Sequence, residues 1–129
     1  MATSNKVTRD DSILTTIAKL IGGEEDGGHF STDLIVAINT ALATLTQLGV
    51  GPSEGFTIED DSSKWSDFLG NDKRLSMVLT YMQLKVQMIF DPPQSGVLRE
   101  AKETLIQEYE WRSFIAADPA SYTSESDGA

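Results

Sequence analysis

Apolar residues recur at helical spacing in the first half of the chain, in two segments with local start and stop signals. Asp11 and Ser12 offer an N-cap to the first segment, and Ser31 or Thr32 offers one to the second, because a side-chain oxygen accepts a free backbone amide there. Gly22 and Gly49 follow the last apolar positions, where glycine commonly ends a helix. The pattern therefore predicts two amphipathic helices, joined by an acidic, glycine-rich loop.

A third segment is apolar on two sides. It follows Asn71 or Asp72 as the expected N-cap and ends before Pro92 and Pro93, which cannot continue a helix. One stripe of this helix comprises Leu75, Val78, Leu79, Met82, Val86 and Ile89. The other comprises Met77, Tyr81, Leu84 and Met88. A helix with two apolar faces is buried on two sides, so it is either the central helix of the domain or one that meets another subunit.

A fourth helix is predicted to begin at Ser95, and its apolar positions continue to Ile115. Between the second and third helices, residues 56–58 alternate like a short strand, while Trp65 and Phe68 fit one face of a helical turn. The expected fold class is therefore mainly α. We expect a small four-helix domain with a minor strand or hairpin element between helices 2 and 3.

The length of 129 residues suits one domain. Residues 1–10 are polar and show no periodicity, so we predict a flexible N-terminal arm before a helical domain at residues 11–115. Residues 116–129 are acidic and polar, and they are predicted to form a flexible C-terminal tail.

Composition narrows the chemistry. The chain has 20 acidic and 10 basic side chains, hence a net charge of −10, and it has one histidine and no cysteine. Disulfides, thiolate metal sites and histidine-rich metal sites are excluded, and a basic face that wraps nucleic acid is disfavoured. The most apolar stretch, residues 34–48, is too short and too polar to span a bilayer. We expect no metal site and no membrane partner.

The spacing of the relevant residues argues against each candidate site for catalysis or ligand binding. His29 has no nucleophile-elbow motif to join, and the glycines near Pro52 follow a helix and not the strand that a dinucleotide site needs. The acidic runs 24–26 and 59–61 lack the spacing of a calcium loop and are typical of solvated loops. No catalytic residue is predicted.

Four short runs nevertheless form a recognisable series: residues 46–52 (TQLGVGP), 65–70 (WSDFLG), 81–93, which end in FDPP, and 110–112 (EWR). In this order and spacing the chain resembles the head–tail connector, or adaptor, proteins of long-tailed bacteriophages and prophages, especially those of Gram-positive hosts. The resemblance covers about residues 11–115.

The resemblance implies a structural protein without catalytic residues or cofactors. Such a protein forms a ring, usually a dodecamer, beneath the portal protein in the neck of the virion, after assembly in the host cytoplasm. The ring extends the DNA channel and offers an attachment surface to the next head-completion or tail protein. DNA passes through the channel without specific binding.

Two groups of residues are candidates for these roles. Contacts with a neighbouring subunit or the portal are expected from Met77, Tyr81, Leu84, Met88, Phe56, Trp65, Phe68, Trp111 and Phe114. Acids expected to face the channel are among Glu24, Glu25, Asp26, Glu59, Asp60 and Asp61. An acidic lumen repels the duplex and leaves it free to slide, whereas a basic lumen would retain phosphates.

A second hypothesis is an acidic DNA mimic or regulatory protein that binds a nucleic-acid-binding partner. The net charge of −10 permits it. A mimic should space its carboxylates along one surface at phosphate-like intervals, whereas many acids of this chain fall in predicted loops and tails. That distribution favours the connector.

Overall fold

The computed structural model describes residues 6–22 and 30–115, and this part of the chain is mainly helical, as predicted. In chain order the helices are α1 (Ile13–Ile21), α2 (Thr32–Gln47), α3 (Trp65–Leu69), α4 (Leu75–Phe90) and α5 (Gly96–Glu108). A π-helical segment, Tyr109–Ile115, continues α5 without a break. The predicted C-terminal tail, residues 116–129, lies outside the described residues.

Serine side chains cap three of the helices. Ser12, Ser31 and Ser95 accept the backbone amides of the residues three positions later, at 3.2, 3.0 and 3.2 Å respectively. α1 ends at Gly22, whose φ of 75° is left-handed. The predicted ends of these helices are therefore confirmed.

The start of α4 differs from the expectation. The helix begins at Leu75, and neither Asn71 nor Asp72 caps it. The Asp72 carboxylate instead accepts the backbone amide of Arg74 at 3.0 Å and its guanidinium at 2.7 Å. The N-cap prediction was wrong because Asp72 is engaged by the side chain two residues later.

α4 is the central helix of the domain, since α1, α2 and α5 all pack against it. Its fully buried side chains are Val78, Tyr81, Met82 and Val86. α2 contributes Leu34, Ala37, Ile38, Ala41, Leu42 and Leu45 to the same core, and α1 contributes Ile13, Leu14, Ile17 and Ala18. α4 is thus the central helix of the domain, while three residues of its second stripe, Met77, Leu84 and Met88, are only half-buried.

The connection between α2 and α3 contains no strand. Residues 56–58 are held by one side chain, because the Asn39 amide donates to the Ile58 carbonyl at 3.0 Å and accepts the Ile58 amide at 2.8 Å. Elsewhere, an isolated β-bridge pairs Ser12 with Lys64, the residue just before α3. The predicted strand or hairpin was wrong because a side-chain amide takes the place of a partner strand.

The segment before α1 is part of the packed domain. The Arg9 carbonyl accepts the Ser66 amide at 2.9 Å, and the Arg9 guanidinium donates to the carbonyls of Gly70 and Asp72. Val7 packs against the core. These contacts extend the packed part of the chain to Val7, ahead of the boundary expected at residue 11.

Gly51 allows the close approach of an aromatic ring. Its φ is +83°, and a Cβ placed on it would fall within 3.0 Å of three carbon atoms of the Phe68 ring. Phe68 also packs against Phe56, with ring centroids 5.4 Å apart. The connection after α2 is therefore fixed to α3 by a contact that only glycine permits.

We predict that Gly51→Ala destabilises the fold more than Gly49→Ala does. Both glycines have a left-handed φ, but a Cβ at Gly49 meets no atom within 4 Å. The control reports backbone strain alone, about 1–2 kcal/mol, and the Phe68 clash adds about 1–3 kcal/mol at Gly51. Free energies of unfolding from chemical denaturation measure both, and equal losses would contradict the close-packing argument.

Tyr81 joins α4 to the π-helical segment. Its ring meets Phe114 edge-on at a centroid distance of 5.4 Å, and its hydroxyl donates to Glu110 Oε2 at 2.8 Å. Lys85 Nζ lies 3.6 Å from the same oxygen. Burial, and then the Glu110 carboxylate, raise the pKa of the Tyr81 hydroxyl above its usual range.

We predict that Tyr81→Phe lowers the free energy of unfolding by about 1 kcal/mol near neutral pH, because the bond to Glu110 is lost. Above pH ~10 the unfolded wild type releases the tyrosine proton while the folded protein retains it, so wild-type stability falls as pH rises. The phenylalanine variant has no such proton to release, so the difference in free energy of unfolding between the two proteins should narrow as pH rises. A difference that stays constant from neutral pH to pH ~11 would contradict the hydrogen bond between Tyr81 and Glu110.

Candidate assembly surface

α5 is the least buried of the long helices. Of its 13 residues only Ile106 is buried, and every residue from 94 to 101 is exposed. Its N-terminal end is held by the Ser95 cap and by Arg99, whose guanidinium donates to the Pro93 carbonyl at 2.9 Å. Its C-terminal end continues into the π-helical segment, where Phe114 is buried. α5 is therefore anchored to the core at its C-terminal end, and most of its surface is exposed.

Exposed apolar side chains lie along one side of α5. Val97 is 82% exposed, Leu98 48% and Leu105 42%. Val97, Ala101 and Leu105 follow one another at intervals of four residues, and Leu98 lies beside them on the helix surface. We call these four residues the α5 stripe. It extends about 12 Å along the helix axis.

An acidic row borders the α5 stripe. The row comprises Glu100, Thr104 and Glu108, which are exposed and also follow one another at intervals of four residues. Each of them lies three residues after a member of the stripe and is therefore its neighbour on the helix surface. Lys102 lies on the opposite border and is half-buried. The exposed side of α5 is thus an apolar strip with carboxylates along one edge.

A shallow groove runs between α1 and the segment that precedes it. We call it the α1 groove, and its lining includes Val7, Leu20, Thr15, Asp11, Lys6 and Lys19. Leu20 is 41% exposed, and both lysines are exposed. The Asp11 carboxylate is engaged by the backbone amide of Thr8 at 2.8 Å. The groove therefore combines apolar surface with a lysine at each of two positions.

Four of the predicted interface residues lie inside the subunit. Trp65, Phe68, Tyr81 and Phe114 are fully or almost fully buried, and Trp65 Nε1 donates to Thr16 Oγ1 at 3.2 Å. Their rings fill the core of one chain, which corrects the expectation that these side chains are free to meet a neighbour. The sequence shows that large aromatics need burial but not which surface buries them.

The other predicted interface residues are at least partly accessible. Met77, Leu84, Met88 and Phe56 are half-buried at the edge of the core, and Trp111 is 61% exposed. Their role in an interface stays a prediction.

The acids expected at the channel fall into two groups. Glu24, Glu25 and Asp26 lie outside the described residues, as does His29. Glu59, Asp60 and Asp61 are exposed in the connection before α3. Asp60 accepts the Ser62 hydroxyl at 2.6 Å and the Ser62 amide at 2.9 Å, and these bonds hold the pKa of its carboxyl below the usual range.

The part of the chain that the structure describes contains no group of three or more His, Cys, Asp or Glu side chains able to hold a metal ion. None of its helices combines the length and apolar character needed to cross a membrane.

Sequence reasoning missed the α5 stripe. From the sequence, these residues are apolar positions of the predicted fourth helix, and their spacing does not show whether the core covers them. The sequence feature that could have revealed the stripe is the width of the apolar arc around the helix. About half the circumference of α5 is covered by Val97, Leu98, Leu105 and Ile106. An arc that broad exceeds what one helix–helix contact buries.

Comparisons with known proteins identify the family. The family of phage connector proteins matches residues 13–120, which include every helix from α1 to the π-helical segment. Searches of curated proteins and of solved structures gave no match. The match covers most of the 129 residues, and the chain belongs to the phage connector protein family.

Proposed function

We propose that the protein is a head–tail connector subunit that assembles with other copies of itself into a ring, a dodecamer in the virion, beneath the portal protein. The ring extends the DNA channel and gives the next head-completion or tail protein its attachment surface. The neck of the virion is then its final location, and the host cytoplasm is where it assembles. The observation that carries this proposal is the exposed α5 stripe on a chain of the phage connector family.

The exposed apolar surface of α5 supports a role in assembly. Val97, Leu98 and Leu105 lie on one side of one helix, and a clustered apolar surface of this kind marks a contact site more often than single exposed residues do. A ring of identical subunits requires two different surfaces on each subunit, arranged so that the rotation closes. Structural work of this kind needs neither a catalytic residue nor a cofactor.

Half-buried residues at the edge of the core supply further proposed contacts. Met77, Leu84 and Met88 lie along α4, and Phe56 lies on the connection before α3. Trp111 is the largest exposed apolar side chain among the described residues. We assign it to the contact with the portal or a neighbouring subunit, since tryptophan is enriched at the centres of protein interfaces.

Trp111 and Trp65 provide a matched pair for testing assembly against folding. Trp111→Ala should change the free energy of unfolding by no more than about 0.5 kcal/mol, because the Trp111 indole is largely solvated, but it should reduce assembly of the subunits into a ring. Trp65→Ala should lower the free energy of unfolding by about 3–5 kcal/mol, because the Trp65 indole is buried. Thermal unfolding reports stability, and light scattering with negative-stain imaging, with and without portal protein, reports assembly.

Wild-type protein that forms no ring, either alone or on portal protein, would contradict the connector proposal. A wild-type chain that stays monomeric and binds a nucleic-acid-binding protein in competition with DNA would favour the DNA-mimic alternative.

The exposed acids before α3 are proposed to face the channel. Repulsion between carboxylates and DNA phosphates keeps the duplex away from the wall, so that it slides without being retained. Glu59 and Asp61 are the appropriate positions to change. Asp60 is left intact because it holds the turn through Ser62.

We predict that Glu59→Lys with Asp61→Lys slows DNA ejection from virions at low salt, and that added salt restores the rate by screening the new attraction. Glu59→Gln with Asp61→Asn is the control, because it removes charge without adding an attraction for phosphate. Ejection is followed by dye binding to released DNA. A normal rate for the lysine variant at low salt, in virions with an intact ring, would show that these acids do not line the channel.

A further inference from the structure

We propose that the α5 stripe of one subunit docks in the α1 groove of a second copy of this chain, with Glu100 and Glu108 meeting Lys6 and Lys19. This inference rests on the proposed ring, and it names the two surfaces that would join neighbouring subunits. The two surfaces are different, so the contact is head-to-tail and can repeat around a ring.

The apolar parts of the two surfaces match in kind. An amphipathic helix that lies in a groove buries side chains spaced at three, four and seven residues, which is the spacing of the α5 stripe. The α1 groove offers Val7 and the exposed part of Leu20 as its apolar surface. Among residues 6–22 and 30–115, none covers Val97, Leu98 or Leu105 fully, and Leu20 is 41% exposed.

Charge complementarity identifies the occupant as a second copy. Two chains with a net charge of −10 repel each other, so contact between copies is favoured where basic groups of one face acidic groups of the other. The α1 groove presents two exposed lysines, while its one carboxylate, Asp11, already accepts the Thr8 amide. The α5 stripe presents carboxylates along its exposed edge.

Each of the two surfaces carries a pair of charged residues, and the two pairs are of opposite sign. Glu100 and Glu108 are eight residues apart on one row of α5, so they are separated by about 12 Å along the axis. Lys6 lies on the segment before α1 and Lys19 on the last turn of α1.

Charge exchange tests the pairing. Glu100→Lys with Glu108→Lys should weaken self-association at least about tenfold, because two attractive pairs become repulsive, and Lys6→Glu with Lys19→Glu should do the same. The chain that carries all four changes should recover association, since each pair is again of opposite sign. Association is measured by light scattering on the full chain and by co-sedimentation with portal rings.

Two control variants match these changes in net charge. Glu54→Lys with Asp91→Lys adds the same charge as the α5 change, and Lys64→Glu with Lys73→Glu adds the same charge as the groove change. All of these side chains are exposed, so the fold should be retained. The controls separate a specific contact from a general effect of net charge on association.

Cross-linking gives an independent measurement, because the natural chain has no cysteine. Thr15→Cys places a thiol in the α1 groove, and Thr104→Cys places one beside the α5 stripe. Mixing the two variants under mild oxidation should give disulfide-linked dimers. Thr104→Cys mixed with Ser76→Cys, an exposed position on α4, should give none.

The outcomes separate this inference from the proposed function. Self-association of the wild type that survives both charge reversals, without the Thr15–Thr104 cross-link, overturns the pairing while the connector proposal stands. Loss of binding to portal rings alone, with self-association unchanged, makes the portal the occupant and also overturns it. Absence of wild-type self-association under all conditions overturns both.

Discussion

Burial of α4 on both of its apolar sides is the constraint on which the rest of this fold depends. α2 covers one side through its stripe of leucine, isoleucine and alanine, and α1 packs beside it. Tyr81 completes the other side by meeting Phe114 and donating to Glu110. With α4 surrounded in this way, α5 has only Ile106 and the π-helical segment with which to hold the core. Its other large apolar side chains, Val97, Leu98 and Leu105, are exposed.

How much of the fold the sequence predicts depends on the range of the interactions involved. Ser12, Ser31 and Ser95 cap their helices through bonds to amides three residues away, so the sequence alone identifies these ends. The absence of a strand at residues 56–58 depends on Asn39, which lies 19 residues earlier in the chain. A pattern of alternating residues cannot reveal that a side chain has replaced a partner strand.

The same distinction applies to the candidate surface. Sequence reasoning correctly indicated that the third predicted helix, α4, is apolar on two sides, and that family resemblance points to a phage connector. It assigned Trp65 and Phe68 to an interface because size and hydrophobicity do not show which surface covers a side chain. It passed over Val97 and Leu98 because an exposed stripe and a core stripe have the same spacing. Only the packing of the other helices shows which of these surfaces remains uncovered.

Net charge places a further constraint on assembly. A strongly acidic chain that associates with copies of itself must keep carboxylates out of the contact or pair them with its few basic groups. The α1 groove concentrates two of the ten basic residues beside apolar surface, whereas the acids before α3 are exposed on a separate connection. In the ring that we propose, this separation lets one subunit attract its neighbour through one region and repel DNA through another. The proposed acidic channel and the proposed subunit contact do not conflict, because they are assigned to different parts of the fold.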